Sequence, residues 1–96
     1  MVIKYDLSYK SSYEPRIYVT FPMNAKKIVG DNVRGYRKAI GWTQVQLSVR
    51  AEINSEHLSR LEGGLENATI ETMQKLANQL DVELYKLFIK DSYKGT

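Results

Sequence analysis

Ser55, Glu56, His57, Ser59 and Arg60 crowd one short stretch of this chain, and most of its site-like chemistry lies there. An Arg can donate two parallel hydrogen bonds to O6 and N7 of a guanine, and a Glu can accept one from the amino group of a cytosine. Glu56 and Arg60 also stand at i and i+4 in the favourable order, so on a helix they can hold each other. The plainer alternative, a surface salt pair, uses the same two residues. Other chemistry has little to work with. There are no cysteines, and His57 is the single histidine, so thiolate and histidine-cluster metal sites are excluded. No Gly-rich phosphate loop and no nucleophile motif is present. No catalytic residue, metal ligand set or cofactor is expected, and the chain is not expected to be an enzyme.

These side chains need a helix to present them, and the stretch from Thr43 to Glu62 supplies two. Thr43 is a hydroxyl residue suited to cap a helix that starts at Gln44. Glu52-Ile53-Asn54 breaks that helix after about two turns. Asn54 and Ser55 offer a second cap, and Glu56 falls in the first turn, where a carboxylate suits the helix dipole. The second helix is expected to run to Glu62 and stop at Gly63-Gly64 through a left-handed cap. The apolar residues fit only if the stretch is split there. Leu47 and Ala51 then share one face, Leu58 and Leu61 share another, and Ile53 plugs the angle between them. Ser55, Glu56, His57, Ser59 and Arg60 are left on the outside.

Residues 28–88, about two thirds of the chain, resemble the lambda-repressor-like (Xre/Cro) helix-turn-helix DNA-binding family. Arg37, Gly41, Thr43, Gln44, Leu47, Ser48, Leu58, Ser59, Glu62 and Gly64 stand in the register of its pattern. The implied fold is mainly α, a five-helix domain, here with an N-terminal extension. The resemblance implies base contacts from Ser55, Glu56 and Arg60. It implies backbone or supporting contacts from Thr43 and Gln44, with His57 and Ser59 phosphate-directed or structural. It also implies a partly buried ion pair between Arg37 and Glu62. Two positions depart from the pattern. Glu52 stands where the family usually has Gly, so a positive φ there would cost about 1 kcal/mol of strain. The loop Leu65-Glu66-Asn67-Ala68 has none of the Lys or Arg side chains that often meet phosphates.

With 96 residues the chain makes one small domain. Its apolar fraction of 43% and charged fraction of 26% are ordinary for a globular protein. The net charge of +3 permits a nucleic-acid partner, but residues 26–89 carry nine basic and eight acidic side chains, only +1. Weak binding as a monomer is expected, with reliance on backbone amides, helix ends and a second copy. No apolar run approaches a membrane span and no signal peptide is visible, so a cytoplasmic protein without a membrane partner is expected.

In the extension, residues 1–22, Ile3, Tyr5, Leu7 and Tyr9 alternate with polar residues, as do Ile17, Val19 and Phe21. A Tyr-rich β-hairpin is expected there, either covering the domain, pairing with a second chain or acting as an arm. Met23 opens the domain of residues 23–89 and is itself a candidate translation start. Asn24 is expected to cap a first helix to about Ile40, with Val29, Val33, Tyr36 and Ile40 as its inward stripe. Gly30 stands where family members often have Gly, and the resemblance implies close packing there. Lys26 and Lys27 at its start either meet phosphates or form a solvated charged turn. Trp42 is expected at the rim of the core. Arg50 ends the first motif helix, where it suits the dipole. Thr69 is expected to cap a fourth helix, whose stripe is Ile70, Met73, Leu76, Ala77 and Leu80. A short fifth helix follows, with Leu84, Leu87 and Phe88 inward. Tyr85 and Ile89 are left over as candidate dimer contacts, as the resemblance also implies for that helix. Residues 90–96 are expected to form a frayed tail.

The leading expectation is a sequence-specific transcriptional regulator that binds a two-fold symmetric operator in double-stranded DNA as a homodimer. Asn67-Ala68-Thr69-Ile70 resembles the same stretch of some restriction–modification controller proteins, which suggests control of such an operon. The alternative is an antitoxin-like interaction module whose N-terminal segment clasps a partner protein.

Overall fold

The computed structural model describes residues 24–95. The expected N-terminal hairpin, its candidate protein partner and the candidate start at Met23 lie outside the described residues. Four α-helices follow one another: α1 (Ala25–Ile40), α2 (Gln44–Ala51), α3 (Ser55–Glu62) and α4 (Ile70–Leu80). A 3-10 helix at Leu84–Phe88 and a 3-10 turn at Ser92–Lys94 complete the described chain, which contains no strand. No helix of the described residues is long and apolar enough to cross a membrane.

Each α-helix starts on a short polar side chain. Asn24 Oδ1 accepts from the Lys27 N–H, Thr43 Oγ1 from Gln46, Asn54 Oδ1 from Glu56 and His57, and Thr69 Oγ1 from Thr72. These bonds satisfy amides that have no partner inside the helix. The Gln46 side chain also accepts from the Thr43 N–H at 2.8 Å, which completes a reciprocal capping box.

All four α-helices end alike. Gly41, Glu52, Gly64 and Asp81 take left-handed backbone with φ of 94°, 59°, 74° and 60°. The following N–H reaches back to the fifth carbonyl before it in every case: Trp42 to Arg37, Ile53 to Ser48, Leu65 to Arg60 and Val82 to Ala77. That is the Schellman geometry, which turns the chain sharply and sends the next residue back toward the helix. Trp42, Ile53 and Val82 use it to pack on the core. Of the two glycines after α3, Gly63 has φ −83°, so the left-handed residue is the second, Gly64.

Val29, Val33, Leu47, Ala51, Leu58, Leu61, Met73, Leu76, Ala77, Leu80 and Leu87 form the buried core. Gly30 is buried where α1 crosses the end of α3. A Cβ there would collide with the Leu61 carbonyl oxygen and lie 2.8 Å from that of Glu62. Only a glycine lets the two backbones approach so closely.

Several expectations are corrected. Ile40 and Ile70 occupy positions on their apolar stripes yet are largely exposed, because each is the terminal residue of its helix and lies beyond the core it points along. The fifth element is a 3-10 helix, with the Lys86 N–H bonded to the Glu83 carbonyl at 3.0 Å. Buried Asn32 explains how it ends. Its amide nitrogen donates to the carbonyls of Leu87 and Ile89 at 2.9 and 2.8 Å, taking acceptors that a longer helix would use. Leu87 is fully buried, but Phe88 is about half exposed beside Tyr85 and Ile89. Residues 90–95 are not a frayed tail. The Ser92 hydroxyl donates to the Lys86 carbonyl, so the Tyr36 hydroxyl must donate to Ser92 Oγ, at 2.9 Å. The Tyr93 ring lies over Gly35, where any Cβ would collide with it.

Candidate nucleic-acid interface

α3 is a short helix held from behind. Leu58 and Leu61 are buried against the core, and Ile53 packs beside them from the turn. Ser55, Glu56, Ser59 and Arg60 are exposed on the opposite side, and His57 is intermediate. The split of Thr43–Glu62 into two helices therefore leaves a polar strip on the outer side of the second.

A buried polar cluster fixes the orientation of that helix. Arg37 of α1 donates from Nε to Glu62 Oε2 and from Nη2 to Glu62 Oε1, both at 2.8 Å. Its Nη1 donates to the Trp42 carbonyl at 2.8 Å, and Gln44 Nε2 donates to Glu62 Oε1 at 2.9 Å. The Arg37 and Glu62 side chains are only 8% and 2% exposed. Desolvation at that depth offsets much of the attraction, so the cluster acts mainly by specifying geometry. α1, α2 and α3 are tied at one carboxylate. Trp42 also takes the Arg50 guanidinium over its ring, 4.4 Å from the centroid. Arg50, expected to serve the end of α2, is thus stacked as well.

On the outer side, Arg60 lies between two carboxylates. Its Nη1 is 3.7 Å from Glu56 Oε2, and its Nε is 3.4 Å from Glu66 Oε2. The other oxygen of Glu66 accepts from His57 Nδ1. Glu66 therefore bridges two residues of α3 one turn apart. Its pairing was missed in the sequence, where the signal was an acid in a loop that often carries bases. Asn32 was missed too, as a polar residue amid an apolar stripe.

The remaining candidates divide by element. Thr43 is occupied by its capping box and Gln44 by Glu62. Lys26 and Lys27 are exposed at the start of α1, with Lys27 paired to Asp31 at 2.9 Å. Gly64 brings that end of α1 beside the end of α3, since a Cβ on it would lie 3.2 Å from Lys27 Cα. Tyr85 and Ile89 are not part of this face. Tyr85 is exposed on the 3-10 helix and Ile89 just after it, and that helix packs on α1 and α4. Among the described residues, no group of three His, Cys, Asp or Glu side chains could hold a metal ion.

Comparison with known proteins points one way. The model of a family described as Helix-turn-helix matches residues 33–87. An uncharacterized HTH-type transcriptional regulator, y4dJ of Sinorhizobium fredii, is 35% identical over 65 residues, covering 68% of this chain and 84% of its own length. Control protein C.SmaI of Serratia marcescens is 29% identical over 73 residues, covering 76% and 87%. Among solved structures, the restriction-modification controller protein C.AhdI of Aeromonas hydrophila superposes with a TM-score of 0.64 at 28% identity. That superposition covers 66% of this chain and 96% of that one.

Proposed function

This chain belongs to the helix-turn-helix family whose model covers residues 33–87, and on that premise we propose that it is a sequence-specific DNA-binding transcriptional regulator acting as a homodimer on a two-fold symmetric operator. The observation that carries the reading is the outer face of α3. Ser55, Glu56, Ser59 and Arg60 are exposed there, while buried Leu58, Leu61 and Glu62 hold the helix from behind. A helix-turn-helix domain lays such a helix in the major groove, with its first turns toward base edges. Ser55, Glu56 and Arg60 make the base contacts in this reading. Lys26, Lys27, Thr43, Gln44, His57 and Ser59 serve the backbone or support the helix.

The charge argues for two copies. A net +1 over residues 26–89 gives one domain few phosphate contacts from side chains, and a dimer doubles them. Tyr85, Phe88 and Ile89 supply exposed apolar surface for the contact. Half-sites then lie about one helical turn apart. Similarity to the two controller proteins supports an operator that serves a restriction–modification operon.

The test is selection of binding sites from random duplex DNA at near-physiological salt, with wild type and Arg60→Ala in parallel. An enriched palindrome that loses one base preference in the variant supports the reading. A folded wild-type protein that enriches no sequence overturns it.

A further inference from the structure

We infer that Glu66 is a specificity-determining positioning residue, which holds Arg60 by Nε so that the outer Nη1–Nη2 edge is presented to a guanine. This inference rests on the DNA-binding reading above.

The geometry has three parts. The Schellman turn at Gly64 closes with the Leu65 N–H on the Arg60 carbonyl at 2.9 Å, and it sends the chain back over α3. Glu66 is the next residue. One of its oxygens accepts from His57 Nδ1, which ties the carboxylate to the first turn of α3. The other lies 3.4 Å from Arg60 Nε, an ion-pair distance, so Glu66 is paired at Nε whereas Glu56 is paired at Nη1. A guanidinium offers five N–H donors in a rigid fork. With Glu66 paired on the Nε side, the terminal Nη1–Nη2 edge carries the paired donors that match guanine O6 and N7.

Glu56 does not play the same part. Its carboxylate is 3.7 Å from Nη1, on the edge a base would meet, and its side chain is 78% exposed. A base arriving at Arg60 displaces Glu56 and leaves Glu66 in place. Glu66 has a second consequence. A carboxylate in the loop after α3 repels phosphates, so it lowers affinity for DNA in general while sharpening the choice of base. That accounts for an acidic residue in a loop where a basic one would raise affinity.

The experiment uses the full chain as wild type, Glu66→Gln, Glu66→Ala and Arg60→Ala. Site selection on wild type and Arg60→Ala identifies the base position that depends on Arg60. Each protein is then titrated with the selected duplex, with a duplex changed at that position, and with random duplex. The expected result is a guanine there, with discrimination falling about fivefold or more in both Glu66 variants. Affinity for random duplex should hold or rise, with melting temperature little changed. Unchanged discrimination, a uniform loss on all three duplexes, or an Arg60-dependent base other than guanine overturns the inference. If wild type selects no site, the DNA-binding reading itself fails. A selected site with unchanged discrimination removes only the role of Glu66.

Discussion

Arg37 and Glu62, 25 residues apart in sequence, meet through two parallel hydrogen bonds of 2.8 Å at the junction of α1 and α3. Gln44 adds a third donor to the same carboxylate from the first residue of α2. Three helices are thereby indexed to one buried charge. In the proposed function Ser55, Glu56 and Arg60 meet base edges, and that role needs α3 fixed in this way, because a small tilt moves those side chains out of reach.

Glu62→Ala leaves the Arg37 guanidinium buried without its partner. We expect a loss of about 3 kcal/mol or more, from the cost of stranding a buried charge. For a domain of this size that is a fall of roughly 12 °C or more in melting temperature. Thermal unfolding followed by circular dichroism measures it, and an unshifted transition would refute the role given to the pair.

Gly30→Ala tests the close crossing of α1 and α3. Its Cβ would meet two backbone carbonyls, which cannot rotate away as a side chain can. The helices must separate, and we expect a loss of about 1–3 kcal/mol despite the better helix propensity of Ala. Chemical denaturation provides the number. A gain in stability would mean that the crossing is looser than described.

Glu52→Gly should act in the opposite direction. Glu52 holds φ 59° at the end of α2, a conformation glycine adopts without strain. The expected gain is up to about 1 kcal/mol. Glu52→Ala is the control, since its Cβ retains the strain and should give no such gain. Equal melting temperatures for the two variants would show that strain at this turn is negligible.

Tyr85→Glu with Ile89→Glu places charge on the exposed apolar surface at the 3-10 helix and the residue that follows it. Both side chains are about half exposed, so the fold should survive. Sedimentation should find wild type dimeric and the double variant monomeric at the same concentration. A variant that remains dimeric would put the interface elsewhere, and a monomeric wild type would remove the homodimer from the proposed function.

Local features were legible in the sequence. The caps at Asn24, Thr43, Asn54 and Thr69 follow from side chains that bond amides two or three residues away, so no distant contact is needed to infer them. The break at Glu52–Asn54 was also readable, because the apolar residues of Thr43–Glu62 fit two short faces and not one. The positive φ at Glu52 was inferred only conditionally, from a glycine that the family usually has there. Burial at helix ends was not legible. Ile40, Ile70 and Phe88 sit at positions that periodicity assigns to the core, and periodicity does not tell where the core stops.

The sequence alone therefore determined what depends on near neighbours: where helices begin, where the chain must turn, and which short polar residues share a helical face. It also held the register that links Arg37 to Glu62, but through resemblance and not through any local rule. Tertiary structure alone decided the other long-range polar contacts. Glu66 reaches His57 and Arg60 only because Gly64 reverses the chain over α3, and Asn32 meets the 3-10 carbonyls 55 to 57 residues away only because α1 packs there. Ser92 and Tyr93 likewise found α1 across the fold. A hydrogen bond works only within a few tenths of an ångström of its proper length, and one sequence pattern is compatible with many such placements. The packing of the helices selects among them.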